Sequence, residues 1–152
     1  MKNNMPGDLE GQVLNGELFS QAGSSTMVAD IRAFTVCLVD DDPSVLKATS
    51  RLLSSAGWKV ESFIDPIEFL EHAKTCQPRV VVLDILMPKM NGLEVQKSLK
   101  TISPASRVIV LTSKDDPSVR AKAMEAGATG FFLKPVADAE FLAEVESALS
   151  KD

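Results

Sequence analysis

The sequence predicts an α/β fold: a doubly wound parallel sheet of five strands with five helices. Three observations lead there. From residue 34 onward, short β-branched runs alternate with segments of helical period. Val80, Val81, Val82 and Leu83 form one unbroken apolar run, as a central parallel strand covered on both faces requires. Aspartate–proline pairs at Asp42-Pro43, Asp65-Pro66 and Asp116-Pro117 each put a capping carboxylate before a proline suited to the first helical position. Strand–helix units in series demand a parallel sheet with helices on both faces and right-handed crossovers.

In chain order, strands are expected over Phe34–Val39, Trp58–Phe63, Arg79–Leu83, Arg107–Leu111 and Thr129–Leu133. The first helix follows Asp42 and shows a stripe of Val45, Ala48, Leu52 and Ala56. The second opens at Asp65, and Glu68 at its third position predicts a capping box. The third carries Val95, Leu99 and Ile102, and the fourth starts after Asp116. The last carries Phe141, Leu142, Val145, Ala148 and Leu149, one continuous apolar face. Gly57 and Gly127 stand where left-handed helix ends are needed.

The chain has 152 residues, which at roughly 100–200 residues per domain means one domain. Residues 1–33 are rich in glycine and polar residues, and Gly11 and Gly16 interrupt the short apolar pattern of Leu9, Val13, Leu14 and Leu18. They are read as a flexible N-terminal extension, with a docking segment as the alternative, and 34–152 as the folded domain. Met27 offers a second candidate start. Sixteen Lys and Arg against 21 Asp and Glu give a net charge of −5, the wrong balance for a direct nucleic-acid binder. There is no apolar run of about 18 residues to cross a membrane and no secretory leader, so a cytoplasmic protein is expected. Cys37 and Cys76 read as isolated reduced thiols, neither a disulfide framework nor a metal site, and the single histidine, His72, excludes a multi-histidine centre and reads as a solvated helix residue. Trp58, Met87 and Met90 are assigned to packing.

In sheets of this kind, ligands bind beyond the carboxyl ends of the strands. The first strand runs into Asp40, Asp41 and Asp42, the third into Asp84, the fourth into Thr112 and Ser113, and the fifth into Lys134-Pro135. Carboxylates that converge raise one another's pKa unless a cation joins them. A hard divalent ion such as Mg²⁺ takes oxygen ligands and phosphate oxygens, and Lys134 adds positive charge, so the edge suits a phosphoryl group. A carboxylate there can itself act as nucleophile and become an acyl phosphate.

The segments Val39-Asp40-Asp41-Asp42, Leu83-Asp84-Ile85-Leu86-Met87-Pro88-Lys89-Met90-Asn91-Gly92, Leu111-Thr112-Ser113 and Gly130-Phe131-Phe132-Leu133-Lys134-Pro135 resemble the receiver domains of two-component response regulators. The resemblance spans roughly residues 34–152, with the motifs in order. It implies a CheY-like, flavodoxin-like sheet of order 2-1-3-4-5 and a phosphorylation switch, not an enzyme in the usual sense. It implies Asp84 as phosphoacceptor and a Mg²⁺ site made of Asp41, Asp84 and the backbone carbonyl of Leu86, with Asp40 holding the ion through water. Thr112 would be the switch hydroxyl, Lys134 the phosphate-binding lysine, Phe131 the switch aromatic and Ser113 a small residue beside the site, with a cis bond before Pro135. Asp42 is read as a helix cap. The implied partners are a histidine kinase or histidine phosphotransfer protein and an unidentified downstream protein; the resemblance leaves a homodimer open.

Two competing readings remain. In one, the chain is the receiver half of a transcription factor; the sequence ends where the last helix should end, with no linker or basic helix-turn-helix pattern, which favours either a stand-alone switch or a trimmed piece of a longer chain. In the other, it is a phosphatase with an aspartate nucleophile, which calls for a second acidic residue two positions after Asp84, where Leu86 stands. Leu86 offers no group to orient water, so slow self-hydrolysis of the acyl phosphate is expected.

Overall fold

The alternation resolves, in the computed structural model, into β1 (Thr35–Val39), α1 (Pro43–Ser55), β2 (Lys59–Phe63), α2 (Pro66–Cys76), β3 (Val80–Leu83), α3 (Gly92–Ile102), β4 (Arg107–Thr112), α4 (Pro117–Glu125), β5 (Gly130–Leu133) and α5 (Asp138–Ser150). The structure describes residues 35–135 and 138–150. Phe34 and the expected extension over 1–33 lie outside the described residues. All strand pairs are parallel, in the order β2-β1-β3-β4-β5. Among the described residues, no helix is long and apolar enough to cross a membrane.

Burial follows position in the sheet. Every residue of β3 is buried, and in β1 and β4 only the first residue is not, because helices cover both faces of these strands. Edge strand β2 exposes Lys59, Glu61 and Ser62, and those side chains discourage pairing with another chain. Alternation sends Cys37, Val39, Val81, Leu83, Val108 and Val110 to one face, against Phe69 and Ala73 of α2, Val95 and Leu99 of α3 and Ala123 of α4. Leu38, Val82 and Leu111 point to the other face, where Leu46 of α1 packs. On α5, Phe141, Val145, Ala148 and Leu149 are all buried, and Phe141 meets Phe132 of β5 edge to face at 5.8 Å.

Helix starts obey the aspartate–proline rule. Asp42, Asp65 and Asp116 accept from the backbone N–H of Ser44, Ile67 and Ser118, each at 2.9 Å. The capping box predicted at Asp65–Glu68 forms instead at Asn91, which accepts from Glu94 N while the Glu94 carboxylate accepts from Asn91 N. At Asp65 the second carboxylate oxygen is taken by Lys89 Nζ at 3.1 Å. The α1 stripe also differs: Leu46, Thr49 and Leu53 face the core, while Val45 and Leu52 are half-buried and Ala48 exposed. The two stripes lie side by side on the helix, and the angle at which the helix docks chooses between them. Gly57 and Gly127 take positive φ (97° and 101°), as the sequence predicts. Gln77 ends α2 in the same left-handed region, and its side-chain amide donates to the carbonyls of Ala73, Lys74 and Ile102. Its φ of 49° had no glycine or asparagine to signal it.

Gly92 matters through space. A Cβ there would stand 2.5 Å from the Asp84 carbonyl oxygen and 2.7 Å from Ile85 Cα, both backbone, and Gly92 N donates to Ile85 O at 2.9 Å. The loop leaving β3 folds back on α3 only if this position lacks a side chain. Gly92→Ala is expected to cost about 1–3 kcal/mol, the range for overpacking a closed site. A denaturant midpoint equal to that of the wild type would refute the steric account.

Candidate functional site at the carboxyl edge of the sheet

The ladder runs past the strands and holds the site's backbone. Asp84 N donates to Val39 O at 2.9 Å, Asp40 N to Phe63 O at 3.1 Å and Lys134 N to Thr112 O at 2.8 Å. These bonds bring Asp40, Asp84, Thr112 and Lys134, from four different strands, to one edge. Asp40, Asp84 and Thr112 are buried, and Asp41 is exposed at the rim. One carboxylate oxygen from each of Asp40, Asp41 and Asp84 lies within 4.8 Å of the others. The sequence-predicted acidic cluster is therefore present.

Lys134 reaches into it. Its Nζ is 2.7 Å from Asp40 Oδ2 and 3.7 Å from Asp84 Oδ2. The remaining oxygens are also engaged: Asp40 Oδ1 accepts from Asp42 N at 2.9 Å, and Asp84 Oδ1 from Leu86 N at 3.2 Å. Burial, and then the Asp40 carboxylate, lift the Asp84 carboxyl to about 6, against the pull of Lys134 and the Leu86 N–H. The closer ammonium contact goes to Asp40, so Asp84 keeps an under-compensated charge.

Around this centre, Thr112 Oγ1 is buried with no hydrogen-bond partner. Such an orphan costs stability unless something completes it. Ser113 is exposed, as is Leu86 on the loop after Asp84. Phe131 is buried, and the Arg120 guanidinium carbon lies 5.1 Å above its ring. Nothing in the sequence pointed to Arg120, because the contact joins α4 to β5. The Lys134–Pro135 bond is cis. Asp42 caps α1, as read. The donor set is all oxygen, three carboxylates with one half-buried ammonium alongside, and it fits a hard divalent cation.

The sequence profile of the response regulator receiver domain matches residues 36–146. The chain belongs to the response regulator receiver family. Phosphorylation and Mg²⁺ are characteristic of that family, whose members are signalling switches of two-component systems. The receiver is 36% identical over 118 residues to the response regulator protein TodT of Pseudomonas putida, covering 78% of this chain and 52% of TodT. It is 36% identical over 116 residues to the response regulator MprA of Mycobacterium leprae, covering 76% and 51%. The chain thus spans about half the length of these curated relatives. Among solved structures, the BeF3-activated DrrB receiver domain superposes with a TM-score of 0.71 at 32% identity, covering 78% of this chain and 98% of that one. The chemotaxis protein CheY4 of Vibrio cholerae gives 0.70 at 29%, covering 76% and 98%. The five-stranded order 2-1-3-4-5 is that of the CheY-like fold.

The raised Asp84 value has a measurable consequence. A carboxyl that titrates higher folded than unfolded binds more protons in the folded state between the two values, so stability falls as pH rises from 3.8 to about 6. With divalent ions chelated, Asp84→Asn is expected to be the more stable protein at pH 8 by roughly 1–3 kcal/mol. The gap should close as pH drops towards 3.8. Thermal melts across that range check it, and a difference independent of pH would refute it.

Proposed function

We propose that the chain is a cytoplasmic, phosphorylation-dependent switch that receives a phosphoryl group on Asp84 from a histidine kinase or phosphotransfer protein. The observation that carries this reading is the meeting of a buried, charge-stressed Asp84 with the ammonium of Lys134 and the unpartnered hydroxyl of Thr112. An Asp84 oxygen attacks phosphorus, the phosphorus–nitrogen bond of the donor phosphohistidine breaks, and the imidazole leaves. Asp41, Asp84 and the Leu86 carbonyl, with Asp40 acting through water, would hold Mg²⁺. That ion, when bound, supplies positive charge for the phosphoryl oxygens. Lys134, now shared between Asp40 and Asp84, turns to a phosphoryl oxygen. The Thr112 hydroxyl gains the partner it lacks, and moving it pulls on the loop after β4, beside Ser113. Phe131 has no hydroxyl to exchange partners, so its part is steric, with Arg120 as the contact that holds or releases the ring. The surface around α4, β5 and α5 then changes its preference for a downstream protein.

A second reading is favoured by one observation, that the relatives TodT and MprA are about twice as long as the matched region. Under it, this receiver controls an output domain on a longer chain. The chemistry at Asp84 is the same in both.

Incubation with Mg²⁺ and acetyl phosphate should add the mass of one phosphoryl group to the intact protein. Asp84→Asn and a metal-free sample should gain none. No added mass, or addition that survives Asp84→Asn, overturns the assignment. The exposed apolar Leu86 leaves water unoriented beside the acyl phosphate. Leu86→Asn should therefore shorten the lifetime of the phosphorylated form, and faster decay in the wild type would refute that role.

A further inference from the structure

About 10 Å back along β1 from the acidic edge, at the 3.3 Å rise of a parallel strand, the fold assembles a second set of ligand atoms. Register pairs Cys37 of β1 with Glu61 of β2, so the two side chains are neighbours on one face of the sheet. His72 and Cys76 stand four residues apart on α2 and share a face of that helix. Packing α2 on the sheet closes the group: a sulfur from each cysteine, a Glu61 oxygen and a His72 ring nitrogen all lie within 4.8 Å of one another. The sequence reading of two isolated cysteines and a solvated histidine is corrected here. The residues are spread over 40 positions and belong to three elements, and only strand register and helix docking unite them.

We propose that Cys37, Glu61, His72 and Cys76 form a binding site for a thiophilic divalent cation of the zinc class, separate from the acidic edge. The ligand chemistry divides the two sites. Two thiolates, an imidazole and a carboxylate suit Zn²⁺, whereas Mg²⁺ prefers oxygen alone. In a tetrahedral site with metal–sulfur bonds near 2.3 Å and metal–nitrogen or metal–oxygen bonds near 2.0–2.1 Å, ligand atoms stand about 3.3–3.8 Å apart. All four ligand atoms already stand within 4.8 Å of one another, and the tetrahedral spacing requires the 2.8 Å contact between His72 Nε2 and Glu61 Oε1 to open. Access is graded: the Cys37 side of the cluster is closed to solvent, while His72 is 33% and Glu61 46% exposed, so an ion enters from the rim. Phe63 walls the site, its ring 5.1 Å from the imidazole and 5.5 Å from Phe69. The two sulfurs lie within 4.8 Å of each other, and burial, with Cys76 and Glu61 adding to it, pushes Cys37 up to about 12. Binding is a proton exchange without redox: two sulfur–hydrogen bonds break, two metal–sulfur bonds form, and two protons leave to solvent. An ion there ties edge strand β2 and helix α2 to the centre of the sheet.

The test is titration of the full, reduced chain with Co²⁺ in saturating Mg²⁺, following the sulfur-to-metal charge-transfer absorbance that oxygen ligands do not produce. One equivalent should bind with that absorbance, and Zn²⁺ should abolish it. Cys76 lies at the exposed end of α2, so Cys76→Ser is expected to fold; it should lose most of the band. His72→Ala removes a ligand outright and should weaken binding by at least the roughly tenfold that loss of an outer-shell partner costs a metal site. Asp84→Asn should leave the band unchanged. Absence of the band, its persistence in Cys76→Ser, or its loss in Asp84→Asn would each overturn the proposal.

Discussion

One half-buried ammonium between two buried carboxylates sets the terms for this molecule. Lys134 neutralises Asp40 at 2.7 Å and only partly reaches Asp84 at 3.7 Å. Taking such charges out of water is costly, and it is tolerated only where geometry is exact enough for attraction to offset desolvation. That geometry joins residues 94 positions apart in the chain, returned to the same edge by the parallel register. A slip of one residue in β5 would turn Lys134 to the other face and leave Asp40 and Asp84 uncompensated.

The apolar sheet is therefore a precondition for the site as well as its support. Because β1, β3 and β4 are dry on both faces, the carboxylates at their ends sit in a poorly screened environment, and Asp84 is driven to about 6. Helix starts reinforce this. The box at Asn91 and the bare Cα of Gly92 press the loop after β3 into the turn that presents Asp84. Unmet electrostatic and hydrogen-bonding demand thus gathers at this edge, in an under-paired carboxylate and an orphan hydroxyl; the only other unpartnered buried side-chain atom among the described residues is Gln96 Oε1 on α3. Such local violation is what a site reserved for an incoming group looks like.

The second cluster obeys the same logic with different chemistry. At the acidic edge, loops deliver hard oxygen ligands; under α2, the sheet face and a helix face deliver sulfur and nitrogen. An edge strand is the least supported member of a sheet. A cation bound to Glu61 would add a restraint where β2 has only one strand neighbour.

Much was legible in the residues themselves. Unbroken valines at 80–82 announce a central strand because a two-sided core leaves no polar position, and aspartate–proline pairs announce helix starts because both act within one turn. The acidic edge was legible too, since strand ends in an α/β sheet point one way. What the sequence left open needed distance. The docking angle chose Leu46 over Val45 on α1, and competition for Asp65 by Lys89 accompanied the move of the capping box to Asn91. The rank of Lys134's two contacts, the guanidinium of Arg120 over Phe131 and the meeting of Cys37 with Cys76 are all long-range. Local pattern determines which elements form and which way their ends face, because caps and periodicity act over a few residues. Which side chains share a few ångströms is decided only when the elements pack, because that proximity is a property of register and docking.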